Sequence, residues 1–134
     1  QVMTQLARLG MPVALREKAA QQVISGLEAM VSSERGKWLL SQPQARVEWS
    51  LVDHDEVVSV LDLAIDQGSH WLVVDYKTSS RHPDETEDMF KERMMVRYRP
   101  QMLRYVDQLR AFDGRDAKAA LYFPVDDLWV EMSF

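Results

Sequence analysis

The sequence contains no cysteine, five glycines, five prolines and three histidines among 134 residues. The absence of cysteine rules out a disulfide framework and fits a reducing, cytoplasmic setting. No apolar run approaches the roughly 20 residues of a membrane span, and no signal peptide opens the chain, so no membrane partner is expected. No internal repeat, low-complexity tract or Gly/Ser/Pro-rich linker divides it. Positive charge is also in short supply: 16 Lys and Arg against 21 Asp and Glu leave a net charge of −5. That balance argues against a generally basic protein that coats nucleic acid, yet it leaves room for an acidic pocket beside a local basic patch.

What is present suits one globular domain over residues 1–134, with 46% hydrophobic and 28% charged residues. A chain of this length buries roughly two-thirds of the surface its unfolded form exposes, so its core needs no covalent or metal staple. It opens on Gln1 rather than Met, and helical periodicity begins almost at once. A fragment of a longer protein is therefore expected.

From Ala14 to about Met30 the apolar residues Ala20, Val23, Ile24, Leu27 and Met30 recur at helical spacing. Ser32, Ser33, Gly36 and Pro43 interrupt that pattern, with a short helix over Gly36–Leu40. Val47, Trp49 and Leu51 alternate with Arg46, Glu48 and Ser50, the mark of a half-buried strand. Two more strands follow at Val57–Asp66 and Trp71–Lys77, separated by a Gly68-Ser69 pair suited to a tight turn. A polar loop over Ser79–Glu87 leads into helical sequence. Pro100 suits the first turn of a helix reaching Phe112, and Asp113-Gly114 ends it. Strands over Ala117–Phe123 and Leu128–Met132 complete an α/β domain with a mixed sheet.

The chemistry concentrates on the hairpin. Side chains alternate faces along a strand, so Asp75 and Lys77 share one, roughly 7 Å apart. If Gly68-Ser69 forms a two-residue turn, Gln67 faces His70, Ile65 faces Leu72, and Asp62 faces Asp75. The two aspartate β-carbons then stand about 5 Å apart. Like charges so placed destabilise a sheet unless something neutralises them, and hard carboxylate oxygens suit Mg²⁺. A D-x-K triplet alone is more often solvated charge alternation than chemistry. Moreover, a slip of one residue in register would part the two aspartates. Glu48 lies on the strand face opposite Trp49 and Leu51, where solvent exposure is the default. Lys91, Arg93, Arg97, Arg99 and Arg104 form the main basic cluster, ordinarily a solvated helix face but suited to phosphate.

The stretch Val73-Val74-Asp75-Tyr76-Lys77-Thr78-Ser79 resembles the core motif of RecB/AddA-type nuclease domains, members of the PD-(D/E)XK superfamily found at the C-terminal end of UvrD/Rep-like helicases. Asp62 in Val60-Leu61-Asp62-Leu63 matches the aspartate of the preceding strand. Tyr98-Arg99-Pro100-Gln101 through Tyr105 matches a Q-x-x-x-Y helix, and Leu121-Tyr122-Phe123-Pro124 the strand after it. Gly36-Lys37-Trp38-Leu39-Leu40 and Glu48 are similar to bacterial members of the group. Departures are Ser59 and Leu63, where the family often has Gly and Arg, and the lack of a histidine on an upstream helix; only His54, His70 and His82 occur.

This resemblance implies a restriction-endonuclease-like core, a mixed central sheet flanked by helices. It also implies an Mg²⁺ ion, with Mn²⁺ as substitute, held by Asp62, Asp75 and the backbone carbonyl of Tyr76. Lys77 would act on the attacking water. Gln101 and Tyr105, one turn apart on a helix, would support the site or touch substrate, as would Glu48, Arg97 and Arg99. Tyr105 also belongs to an apolar stripe with Met102, Val106 and Leu109, and packing alone would account for it there. The function implied is an exonuclease V-like DNA nuclease in end processing and recombinational repair. Its partners would be DNA, single-stranded or at ends, helicase domains of the same parent chain and a further subunit. No G-x-x-x-x-G-K-[ST] loop occurs, so an ATPase motor would lie outside this sequence. The alternatives are a catalytically idle module of the same fold that guides DNA or docks a subunit, and an unrelated acidic interaction domain.

Overall fold

A computed structural model describes residues 28, 29 and 31–134. The helix expected over Ala14–Met30 therefore lies almost wholly outside the described residues. Helix α1 (Glu34–Leu40) is followed by strands β1 (Ala45–Val52), β2 (Val58–Asp66) and β3 (His70–Tyr76). The long helix α2 (Glu87–Asp113) then leads into β4 (Asp116–Phe123) and β5 (Leu128–Met132). The strands form one sheet in the order β1-β2-β3-β4-β5. Only β3 and β4 run parallel, bridged by α2; the other neighbours are antiparallel. The mixed sheet and flanking helices are the α/β architecture expected. Among the described residues no helix is long and apolar enough to cross a membrane.

Local chemistry sets the element ends. Gly68 takes φ +86°, a left-handed conformation open to glycine at little cost, and the Gln67 amide donates to the His70 carbonyl at 3.0 Å. That turn sets Ile65 opposite Leu72 and Leu63 opposite Val74. Ser33 caps α1 by accepting from the Gly36 amide, and Thr86 caps α2 by accepting from the Met89 amide. Gly114, at φ +79°, closes α2 in the left-handed conformation.

Pro100 does not begin a helix; it sits inside one of 27 residues. An interior proline removes one backbone hydrogen bond and costs about 3 kcal/mol. Packing on both sides offsets this. Phe90 and Met94 before the proline, and Met102, Val106 and Leu109 after it, are all fully buried in one cluster on the sheet. Each such side chain contributes about 1.5–3 kcal/mol of burial.

The two faces of the sheet are covered differently. Trp71, Val73, Ala119, Leu121 and Phe123 face α2. Leu72, Val74, Ala120 and Tyr122 join Leu39 of α1 on the other side. The Tyr122 hydroxyl lies 3.2 Å from the Ser33 hydroxyl and donates to Asp127 at 2.8 Å, fastening the cap of α1 to the sheet.

Candidate active site

The alternation of faces slips once, in the middle of β2, and that slip creates the site. Leu61 packs on the α2 side, whereas Leu63 and Ile65 pack on the opposite side. Asp62 lies between them. Pairs Val47↔Leu63 and Trp49↔Leu61 bracket it, which sets Glu48 opposite Asp62. On its other flank the register that pairs Leu63 with Val74 sets Asp62 opposite Asp75. Three acids thus stand in one row across β1, β2 and β3. Glu48 pays for this with φ +50°, a conformation uncommon for a residue with a β-carbon.

All three acids line one pocket of about 650 Å³ between the sheet and α2, together with Ser59, Lys77, Gln101, Arg104 and Tyr105. The solvent exposure expected for Glu48 is therefore not observed: it is half-buried, and its Oε1 is shut from water with no hydrogen-bond partner. Strict alternation fails there because the backbone kink turns the side chain towards α2.

Asp62 and Asp75 are 8% and 4% exposed. Asp62 Oδ2 accepts from the Tyr76 amide at 3.0 Å. Burial, and then the neighbouring Asp75 carboxylate, push the Asp62 carboxyl up to about 9. The Lys77 ammonium forms an ion pair with Asp75 Oδ2 at 2.5 Å, and that buried oxygen has no other partner than the neighbouring Asp62 carboxyl. Lys77 is held from three sides. Beyond Asp75, its Nζ donates to Gln101 Oε1 at 3.1 Å and lies 4.0 Å from the centre of the Tyr98 ring. Gln101 Nε2 in turn donates to the Tyr105 hydroxyl at 3.0 Å. Burial first, then Asp75 and Asp62, raise that phenol to about 12, which keeps it protonated.

Residues 2–131 match the description of the PD-(D/E)XK nuclease superfamily. The chain belongs to that superfamily. No curated protein matches its sequence. PD-(D/E)XK nucleases typically use divalent metal ions. The donor set here is compatible with one: two carboxylates buried side by side, with the partnerless Glu48 Oε1 lining the same pocket, are hard oxygen ligands for a divalent cation. Among the described residues no three His, Cys, Asp or Glu side chains are gathered as a ready cage. Asp62 and Asp75 would be the protein side-chain ligands, and Mg²⁺ commonly takes one or two carboxylates and keeps waters.

Of the basic residues named from the sequence, Arg97 and Arg99 do not line the pocket. The Arg97 guanidinium sits 5.2 Å from the Tyr98 ring, and that of Arg99 lies 4.9 Å from the ring of Phe134. Arg104 lines it instead, and Tyr98 buttresses Lys77. Arg104 belongs to the basic cluster named from the sequence; helical spacing could also have found Tyr98, since Tyr98, Gln101 and Arg104 recur every three residues on one side of α2.

Proposed function

We propose that this PD-(D/E)XK domain is a deoxyribonuclease of the RecB/AddA type that uses Mg²⁺, or Mn²⁺ in its place, to hydrolyse phosphodiester bonds. The observation that carries the reading is the buried Asp62–Asp75 pair with the Lys77 ammonium held beside it by Gln101 and Tyr98. Burying two carboxylates together is unfavourable and serves no packing purpose; a cation between them would repay it.

In this reading Asp62, Asp75 and the Tyr76 carbonyl hold the ion, which when bound supplies Lewis-acid polarisation of the phosphoryl group. Lys77 orients the attacking water and sets a positive charge where negative charge develops on the phosphoryl oxygens. Gln101 positions Lys77 through its amide oxygen, and Tyr105, kept protonated, fixes the orientation of that amide. Glu48 is a further acid for the metal or its waters. The combination of Asp62, the Asp75-Tyr76-Lys77 triplet and the Gln101–Tyr105 spacing supports the RecB-like assignment. With it go an exonuclease V-like role in DNA end processing and recombinational repair in the cytoplasm, attached helicase domains and a partner subunit.

The test is Mn²⁺-dependent cleavage of single-stranded DNA by this chain beside its Lys77→Ala form. Cleavage by the first and not the second is the expected result. DNA binding with no cleavage by either, in this chain and in an N-terminally extended protein, would mean a nuclease fold that only guides DNA.

A further inference from the structure

Beside the acid pocket lies a second concavity of about 540 Å³, between the end of β1 and α2, and Arg104 lines both. Its walls carry Pro100, Leu103 and Phe112, the last two 37% and 49% exposed. Phe112 is not loose: its ring packs edge-on against Trp49 at 4.8 Å. Gln108, 5% exposed, lines the groove as well; its Nε2 donates to the Val57 carbonyl, while its Oε1 has no partner.

Two carboxylates also line this groove, and Asp107 is exposed. Asp53 Oδ1 accepts from the Asp55 and Val57 amides, and Asp107 lies 3.7 Å from Arg110. Arg104, by contrast, makes no ion pair or hydrogen bond among the described residues. An unengaged guanidinium at the junction of the two hollows suits a phosphate. An apolar, aromatic-edged groove suits the face of a nucleobase.

We infer that the groove holds one unpaired base of a single-stranded DNA, and that Arg104 binds the phosphate joining that nucleotide to the one in the acid pocket. The inference rests on the nuclease reading and specifies its substrate as a strand with splayed bases. A base still stacked and paired in a duplex cannot enter a groove in the protein surface.

The experiment uses the full chain carrying Lys77→Ala, in Mg²⁺, with a fluorescein-labelled single-stranded oligodeoxynucleotide read by anisotropy. Adding Arg104→Ala is expected to weaken binding about fivefold or more. It should also make the plot of log affinity against log salt shallower by about 0.7, the share of one phosphate contact on a single strand. Arg104→Lys should keep that slope. An abasic site walked along the oligonucleotide should weaken binding at one position by about fivefold or more, the loss of one stacked base. Unchanged affinity and slope in Arg104→Ala, equal binding at every abasic position, or duplex bound as tightly as single strand would each overturn the inference. So would a groove that joins two copies of this chain, seen by light scattering as a dimer dispersed by Leu103→Glu. Cleavage by the unsubstituted chain, assayed in parallel, separates the two readings. If it cuts DNA while these results fail, only the inference falls; if it neither binds nor cuts, both do.

Discussion

Two aspartates and one cation meet at each end of the β2–β3 hairpin, the turn end drawing Asp113 and Arg115 from the α2–β4 connection, and the two ends are electrostatic opposites. At the turn, Arg115 reaches Asp66 Oδ1 and Asp113 Oδ2, each at 2.6 Å, and also donates to the Gly68 carbonyl. The Arg115 hydrogen bonds hold both carboxyls below the usual carboxylate range. Four residues back along β2, Asp62 and Asp75 are buried against each other, and Asp62 is pushed up to about 9. A guanidinium fork can serve two carboxylates at once, whereas the single Lys77 ammonium touches only Asp75. Charges that hold structure together are satisfied by the protein. The under-satisfied pair is the one assigned to a metal ion in the proposed function.

The contrast breaks most visibly at Lys77. Lys77→Ala is expected to lower kcat for DNA cleavage by about 10²–10⁴-fold, as for loss of a proton-handling group. Arg115→Ala should leave kcat unchanged; steady-state cleavage assays of both variants decide this. Second, saturating Mn²⁺ or Mg²⁺ should stabilise the domain, by about 2.7 kcal/mol at a hundredfold excess over Kd. Thermal melts should show that gain in the parent chain and lose it in Asp62→Asn.

Third, the metal-free domain should become more stable in Asp62→Asn, by about 1–3 kcal/mol at pH 8. The sign follows from proton linkage. The folded state keeps a proton on Asp62 up to about 9, whereas the unfolded chain releases it near 3.8, so this group lowers stability as pH rises between the two. Asparagine still accepts from the Tyr76 amide and carries no such slope. A stability–pH profile of the two proteins tests it, and parallel profiles would refute it. Finally, Arg115→Ala should lower Tm by a few degrees, about 2–6 °C. Asp66 and Asp113 are depressed when folded, so their contribution is present above the unfolded value of 3.8 and fades as pH falls below it. The variant should therefore lose that acid-dependent part, a difference visible in melts taken from pH 2 to pH 5.

The hairpin was the most legible part of the chain. Gly68-Ser69 has the chemistry of a two-residue turn, and a turn of that length sets the register that brings Asp62 opposite Asp75. Lys77 follows from alternation, and the Gln101–Tyr105 pair from one helical turn. Three features were not legible. Alternation assigned Glu48 to solvent, but a left-handed kink and the slip at Asp62 turn it into the pocket. Pro100 reads locally as a helix start, yet burial on both sides of it carries α2 straight through. Among the clustered arginines, the rotation of α2 about its axis chose Arg104, and Phe90, Met94, Met102 and Leu109 set that rotation by packing on the sheet.

Sequence by itself therefore determined the strands, the turn, the Gly114 end of α2 and the pairing of two aspartates, because each depends on neighbours a few residues away or on a register counted from one tight turn. Tertiary structure decided how deeply those aspartates are buried, that Glu48 joins their row, and which cations face them. Desolvation and helix rotation arise only when a distant helix lies down on the sheet, and no local pattern records that contact.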